Sequence, residues 1–426
     1  MTRTTNVSRA LAAPCLLAIV WLTSPADGAD WPQWRGPQQN GVAAGSGFPV
    51  EWSLESNVRW SVELPGPGSS TPAVWGDHLF VTCSTEGENL VLCFNRAGKE
   101  LWRRALGSPV PGKHKKATGA NPSPVTDGQR VYVYFKSGDL ACLDFAGKTL
   151  WHENLQKQFG EDTLWWDLGT SPVLTRDHVV VACMQSGPSY LAAFDRSTGK
   201  LGWKADRMLD ANEESNQSYS TPMVVGNADG SETLVVLGAD HVTAHRASDG
   251  KEIWRVGGLN PTNHKYFRSI ASPVVADGMV IAPYARGKSL TAIRLGGEGD
   301  VTKSHIAWHA ELSPDVPTPA AADGKVYMCT DRGEVRCFDL ATGKVLWEAE
   351  APRRGGANYS ASPVVADGHL YMTREDGMTA VLKLGPNGAE TIAENQLAKE
   401  MTVATPVLVD GQVFCRTLQH LYCIGK

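Results

Sequence analysis

The chain has 426 residues, a formal charge of −5 at pH 7, 42 % hydrophobic side chains and 20 % charged ones. That balance fits a globular protein and excludes the strong positive field that a nucleic-acid partner would call for. Glycine (43) and tryptophan (14) are both abundant, which points to many tight turns and a large aromatic used repeatedly.

Arg3 and Arg9 flank the start of an apolar stretch, Ala10 to Leu22, followed by the small residues Ala26, Gly28 and Ala29. A basic, then apolar, then small-residue order is that of an export signal. The apolar stretch is too short for a confident membrane span. The expectation is a cleaved signal peptide over residues 1–29 and a mature chain, periplasmic or secreted, without a transmembrane segment. Cys15 leaves a lipid anchor open, although Pro14 suits that role poorly and the apolar run continues past the cysteine. Residues 30–56 then form an N-terminal extension, and residues 57–426 a single repeated domain.

A Ser/Thr-Pro pair recurs along that domain, with its prolines at Pro72, Pro124, Pro172, Pro222, Pro273, Pro319, Pro363 and Pro406. A period of 43–52 residues without helical patterning means propeller blades. In the second unit, Ser123-Pro124-Val125-Thr126 leads into the turn Asp127-Gly128 and the apolar strand Val131 to Tyr134. Ser137-Gly138-Asp139 turns the chain again, Leu140 to Asp144 is a third strand, and Gly147-Lys148 precedes a fourth that begins at Leu150-Trp151. Four short antiparallel strands make one blade.

The ending recurs at Gly98/Trp102, Gly147/Trp151, Gly199/Trp203, Gly250/Trp254 and Gly343/Trp347, and Trp308 ends a unit with a longer turn. The seventh unit has Ile392 where tryptophan is expected, and the eighth stops after its third strand. The orphan segment Asn57 to Trp60 supplies the missing strand. The predicted fold is therefore an all-β, eight-bladed propeller of four-stranded antiparallel blades, its ring closed by the N-terminal strand, since an open array would expose pairing edges.

The segments Ala193 to Trp203 and Cys337 to Trp347 resemble the PQQ-like repeat, whose ending is Ala-x-Asp-x-x-Thr-Gly-x-x-x-Trp. That family includes quinoprotein dehydrogenases and the BamB-type outer-membrane assembly factor. The opening Trp31-Pro32-Gln33-Trp34-Arg35-Gly36-Pro37 is similar to the start of exported proteins of this repeat type that have no assigned chemistry. The resemblance implies that Trp60, Trp102, Trp151, Trp203, Trp254, Trp308 and Trp347 dock blade against blade. The chemistry agrees, because a large aromatic recurring once per blade is a packing element.

Catalytic signals are weak. No Gly-x-Ser-x-Gly, phosphate-binding loop, HExxH or paired-histidine spacing occurs, so no catalytic residue and no metal site are assigned. His78, His178, His241, His369 and His420 fall in blade turns. A PQQ-dependent dehydrogenase with calcium is the alternative reading. The adjacent cysteines common beside that quinone are absent, and no cluster of oxygen ligands for a hard cation stands out. No cofactor is expected otherwise.

Cys93, Cys142, Cys337 and Cys423 share one position on the third strand, filled by Ala193, Ala244 and Ala292 in other blades, which suits a small buried thiol. The pairs Cys83/Cys93, Cys329/Cys337 and Cys415/Cys423 also flank hairpin turns, so disulfides across the hairpin remain open in an oxidising compartment.

The outermost strand of each blade must cross over one face to reach the next innermost strand, and binding residues gather on such loops. Lys113, His114, Lys115 and Lys116, with Tyr266, Arg268, Arg353 and Arg354, make three of the crossovers basic. Trp166, Asp167, Tyr219 and Tyr359 lie on crossovers as well. These twelve residues are the candidate ligand-binding set. A locally positive, aromatic face is expected, with an envelope protein, peptide, glycan or other anionic ligand as partner. The leading functional reading is a non-catalytic extracytoplasmic binding or scaffold propeller of the BamB type.

Overall fold

A computed structural model describes residues 1–2 and 30–425. The export-signal expectation falls on residues 3–29, outside the described residues. Eight four-stranded blades follow one another in sequence order; blade four also gains a fifth, parallel strand, Gly299–Asp300, from the blade-five segment. The first blade comprises Ala73–Trp75, His78–Ser84, Asn89–Asn95 and Glu100–Ala105, and later blades repeat that order. The eighth blade holds Val407–Val409, Gln412–Arg416 and His420–Ile424, and its outermost strand is Val58–Glu63. Trp60 stands opposite Cys423, so the N-terminal strand closes the ring as the sequence implies. Among the described residues no helix is long and apolar enough to cross a membrane.

Strand register explains the small residue on each third strand. Cys93 faces Trp102, Cys142 faces Trp151, and Ala193 faces Trp203. Ala244, Ala292 and Cys337 face Trp254, Trp308 and Trp347. An indole leaves room only for a small partner, and a register shift follows each pair in these six blades, turning the ring toward the next blade. There the indole nitrogen donates to a turn carbonyl: Trp102 to Phe145 at 2.8 Å, Trp151 to Arg196 at 3.0 Å, Trp203 to Ala247 at 3.0 Å and Trp308 to Leu340 at 2.9 Å. Trp60 does the same to Arg96 at 2.8 Å, across the closing seam. Each docked indole lies against the glycine of that turn. A Cβ on Gly343, whose φ is +72°, would sit 2.5 Å from the Trp308 ring.

Blade seven departs from the sequence reading. Val381 pairs with Ala393, and Ile392 occupies the bulge, so Ala393 rather than Ile392 holds the tryptophan register. The exchange is reciprocal: the larger residue sits on the third strand and the smaller on the fourth.

All eight described cysteines are free thiols, so the disulfide expectation is corrected. Cys83 pairs with Leu90 and Cys415 with Tyr422, which places Cys93 and Cys423 an odd number of residues away, on opposite faces of their hairpins. Cys329 pairs with Val335, two residues from Cys337, a diagonal rather than a facing position. Burial raises the thiol pKa of Cys93 and Cys415 to about 12 each, in keeping with small packing residues.

The Ser/Thr of each Ser/Thr-Pro pair has a role the repeat alone did not reveal. The backbone N–H of Thr71 donates to Ser123 Oγ at 3.0 Å, Ser123 to Ser171 at 2.9 Å, and Ser171 to Thr221 at 3.0 Å. Thr221 donates to Ser272 at 2.8 Å, Ser272 to Thr318 at 2.9 Å, and Thr318 to Ser362 at 3.0 Å. Ser362 donates to Thr405 at 3.4 Å, and Thr405 returns to Thr71 at 3.1 Å. The eight blades are thus laced around the axis by a closed circle of amide-to-hydroxyl bonds. The following proline carries no N–H, so the Ser/Thr amide is the last donor free to reach sideways before the innermost strand starts.

The N-terminal extension crosses the axis at the end of the ring away from the crossovers. Trp31 pairs with Val74 of blade one, and Pro32 accepts from Thr126 of blade two. Gln39 accepts from Val224 of blade four, Asn40 from Ala321 of blade six, and Val42 bridges Val365 of blade seven. Arg35 is fully buried and donates to the carbonyls of Pro319 and Pro363. No carboxylate among the described residues neutralises it, and burial lowers its pKa to about 9. Farther along, Phe48 and Trp52 pack into the core shared by blades one, seven and eight.

Candidate functional site: a cup on the crossover face

Strand direction alternates through each blade, so the crossovers and the turns between second and third strands share one face. At the axis of that face lies a cavity of about 480 Å³. All eight ring hydroxyls line it, Trp34 of the extension reaches it from below, and His114 and Trp166 stand on its wall. His114 meets the Trp166 ring edge-on, with centroids 6.0 Å apart.

Of the twelve candidate residues, His114, Lys116, Trp166, Asp167, Tyr219 and Arg268 line this cup. Lys113, Lys115, Tyr266, Arg353, Arg354 and Tyr359 do not. Tyr359 is buried, and its hydroxyl donates to Pro352 at 2.7 Å, which makes it a support for its own crossover. The Lys113 ammonium is spent on the carbonyl of Leu164 at 2.6 Å. Tyr266 is exposed beneath the Lys265 ammonium, 4.8 Å from its ring centre. Lys115 and Arg353 are exposed outside the cup, and the Arg354 side chain lies outside the described residues.

Asp167 is a fold anchor rather than a free ligand group. It accepts from the amides of Lys113 at 2.9 Å and His114 at 3.1 Å, and forms a buried ion pair with Lys136. Tyr219 is also buried and committed, donating to Gln217 at 2.8 Å and accepting from the Trp166 amide at 3.3 Å.

The expected positive face does not form as a patch. Lys116 pairs with Glu375, and Lys265 approaches Glu213 at 3.6 Å. Arg268 forks onto both oxygens of Asp315 at 2.8 and 3.0 Å, with Glu214 3.5 Å away. The acidic partners come from neighbouring crossovers and second turns, which a reading of each loop by itself treats as separate.

Those second turns bring residues the sequence reading overlooked. Arg286, on the blade-five turn, lines the cup, is exposed, and makes no ion pair or side-chain hydrogen bond among the described residues. Asp331, on the blade-six turn, accepts from the Asp315 amide at 2.8 Å. Burial, reinforced by the neighbouring Asp315 charge, pushes the Asp331 carboxyl above its ordinary range. The usable sequence signal was strand alternation itself, which places every Gly-containing second turn on the crossover face.

The family model for the outer membrane protein assembly factor BamB matches three overlapping stretches, residues 39–206, 87–254 and 187–425. The chain belongs to that family. The BamB of Bordetella pertussis is 24 % identical over 319 residues, covering 73 % of this chain and 72 % of that protein. The BamB of Nitrosomonas eutropha is 23 % identical over 258 residues, covering 59 % and 55 %. Among solved structures, BamB from Moraxella catarrhalis aligns with a TM-score of 0.61 and 16 % identity over 86 % of this chain and 98 % of that one. A europium-containing methanol dehydrogenase aligns with a TM-score of 0.69 and 11 % identity over 93 % and 98 %. At such identities the structural likeness speaks for the fold alone.

Proposed function

We propose that this protein is an extracytoplasmic, non-catalytic scaffold of the BamB type that holds an envelope partner on its crossover face. The observation that carries the reading is the family match, which runs through every blade from residue 39 to residue 425. The face also offers large apolar side chains that the fold does not consume: Trp165 is 46 % exposed and Trp166 45 %. Anchors of this kind, partly polar and held by the loops around them, are what protein interfaces favour. An export signal over residues 1–29 would place the mature chain in the periplasm, beside outer-membrane assembly proteins.

The competing reading is a quinone-dependent dehydrogenase, favoured by the methanol dehydrogenase likeness. The donor set weighs against it. No cluster of three or more His, Cys, Asp or Glu able to hold a metal occurs among the described residues. The carboxylates of Asp167, Asp315 and Glu375 are engaged by Lys136, Arg268 and Lys116. A hard cation taking six to eight oxygens would have to break those pairs.

The test is retention of envelope assembly proteins by the immobilised chain, compared with a Trp165→Ala/Tyr266→Ala variant. Both side chains are exposed, so the variant should fold normally and lose most of the retained partner. Equal retention by variant and wild type would move the interface elsewhere. Stoichiometric PQQ binding that depends on Ca²⁺, with dye-linked alcohol oxidation, would replace the scaffold reading.

A further inference from the structure

The ring hydroxyls leave an unspent resource. A serine or threonine hydroxyl offers one donor and two acceptor positions. Each of the eight has accepted an amide N–H from the neighbouring blade. None gives its own proton to a protein acceptor among the described residues, and all eight line the cup. The cup therefore carries a circle of O–H donors around its axis with nothing in the protein to receive them.

The rest of the wall has the same bias. Arg286 is a cation without a partner among the described residues. Lys116 and Arg268 are charged donors with carboxylates on one side and the cup on the other. On the acceptor side, Asp167 is saturated and Asp315 is forked onto Arg268. Asp331 already accepts the Asp315 amide, and burial holds its carboxyl above its ordinary range. A cavity of about 480 Å³ is also in the size range that holds small ligands.

We infer that the cup is a binding site for an oxyanion, a carboxylate or phosphate group, seated over the hydroxyl ring with Arg286 as its counter-charge. Its donors are held in place by the blade-to-blade bonds, so little ordering is left for the moment of binding. Acceptor-rich ligands gain from such a surface, whereas cations and purely apolar groups leave the donors unmet. The inference does not depend on the scaffold reading: Trp166 borders both surfaces, but the partner test removes Trp165 and Tyr266, which lie outside the cup, so the two readings fail separately.

Calorimetric titration of the full chain at low ionic strength tests it, using inorganic phosphate, acetate and, as a cation control, tetramethylammonium. Saturable binding of phosphate or acetate is expected, and which of the two binds more tightly assigns the group. Arg286→Gln should weaken that binding about tenfold or more, because a charge-assisted contact is lost. Its melting temperature should be unchanged, since the side chain has no partner among the described residues to lose. Arg353→Gln removes a cation from the same face outside the cup and should leave affinity unaltered. No saturable heat with either anion, or an equal loss from both variants, would overturn the site. Binding that survives Arg286→Gln intact would do the same.

Discussion

Replacing Thr318 with valine tests the hydroxyl circle directly. The two side chains have nearly the same shape, so the change removes one oxygen and little else. That oxygen receives the Ser272 amide at 2.9 Å, and both residues are about 1 % exposed. The Thr318 amide keeps its own bond to Ser362. A buried N–H left without an acceptor costs about 1–3 kcal/mol. In a chain of this size the unfolding entropy is about 0.8 kcal/mol per kelvin, so the melting temperature should fall by about 1–4 °C. Scanning calorimetry would read that shift. Thr318→Ser, which retains the hydroxyl, should recover most of it, because serine already fills the position in four blades. Thr262→Val, on an exposed crossover, should change almost nothing. If Thr318→Val melts with Thr262→Val, or if serine fares no better than valine, the circle contributes nothing to stability.

Two other perturbations probe different parts of the fold. Gly343→Ala should lower stability by more than about 2 kcal/mol in a denaturant melt, since it combines φ of +72° with a Cβ 2.5 Å from Trp308; a neutral result would show that the docked indole moves freely. His245 is buried, and desolvation lowers its pKa to about 4, against about 6.5 when unfolded, so the unfolded chain binds the proton first as the pH falls. Its contribution is complete above pH 6.5 and drains away down to pH 4, by about 3 kcal/mol in all; urea midpoints at pH 7, 5.5 and 4.5 should fall less steeply in His245→Gln, and parallel slopes would refute the assignment.

The architecture could be read from the sequence because its signals are local and repeated from blade to blade. The proline spacing, the Asp-Gly turns and the Gly/Trp endings each recur, and the orphan strand before Trp60 has a single place to go. Blade seven shows the limit of that method. Counting residues from the turn puts Ile392 at the tryptophan position, but the bulge that follows each docking pair moves the register to Ala393. The disulfide expectation failed for a related reason. Flanking a hairpin says nothing about which face a side chain takes, and a one-residue difference in register sends Cys83 and Cys93 to opposite sides.

The cup was harder to foresee, since it is assembled from positions that look like punctuation. Serine or threonine before a proline reads as a turn signal, and only closure of the ring turns eight such residues into one donor surface. The charged loops misled in the opposite direction. Lys116 and Arg268 stand out in sequence, yet each meets a carboxylate from another blade junction, Glu375 and Asp315. Arg286 draws no attention in its turn, and it is the cup cation left without a partner among the described residues. The extension completes the enclosure. Arg35 has no counter-charge among the described residues, so its burial is sustained by carbonyls from two blades, and those carbonyls belong to Pro319 and Pro363, partners in the same Ser/Thr-Pro pairs that build the ring. The signature that spaces the blades therefore also sets the wall of the cup and anchors the segment beneath it. Changes in the occupant of the cup and changes in ring closure should consequently be felt by one another, because both act on the same eight junctions.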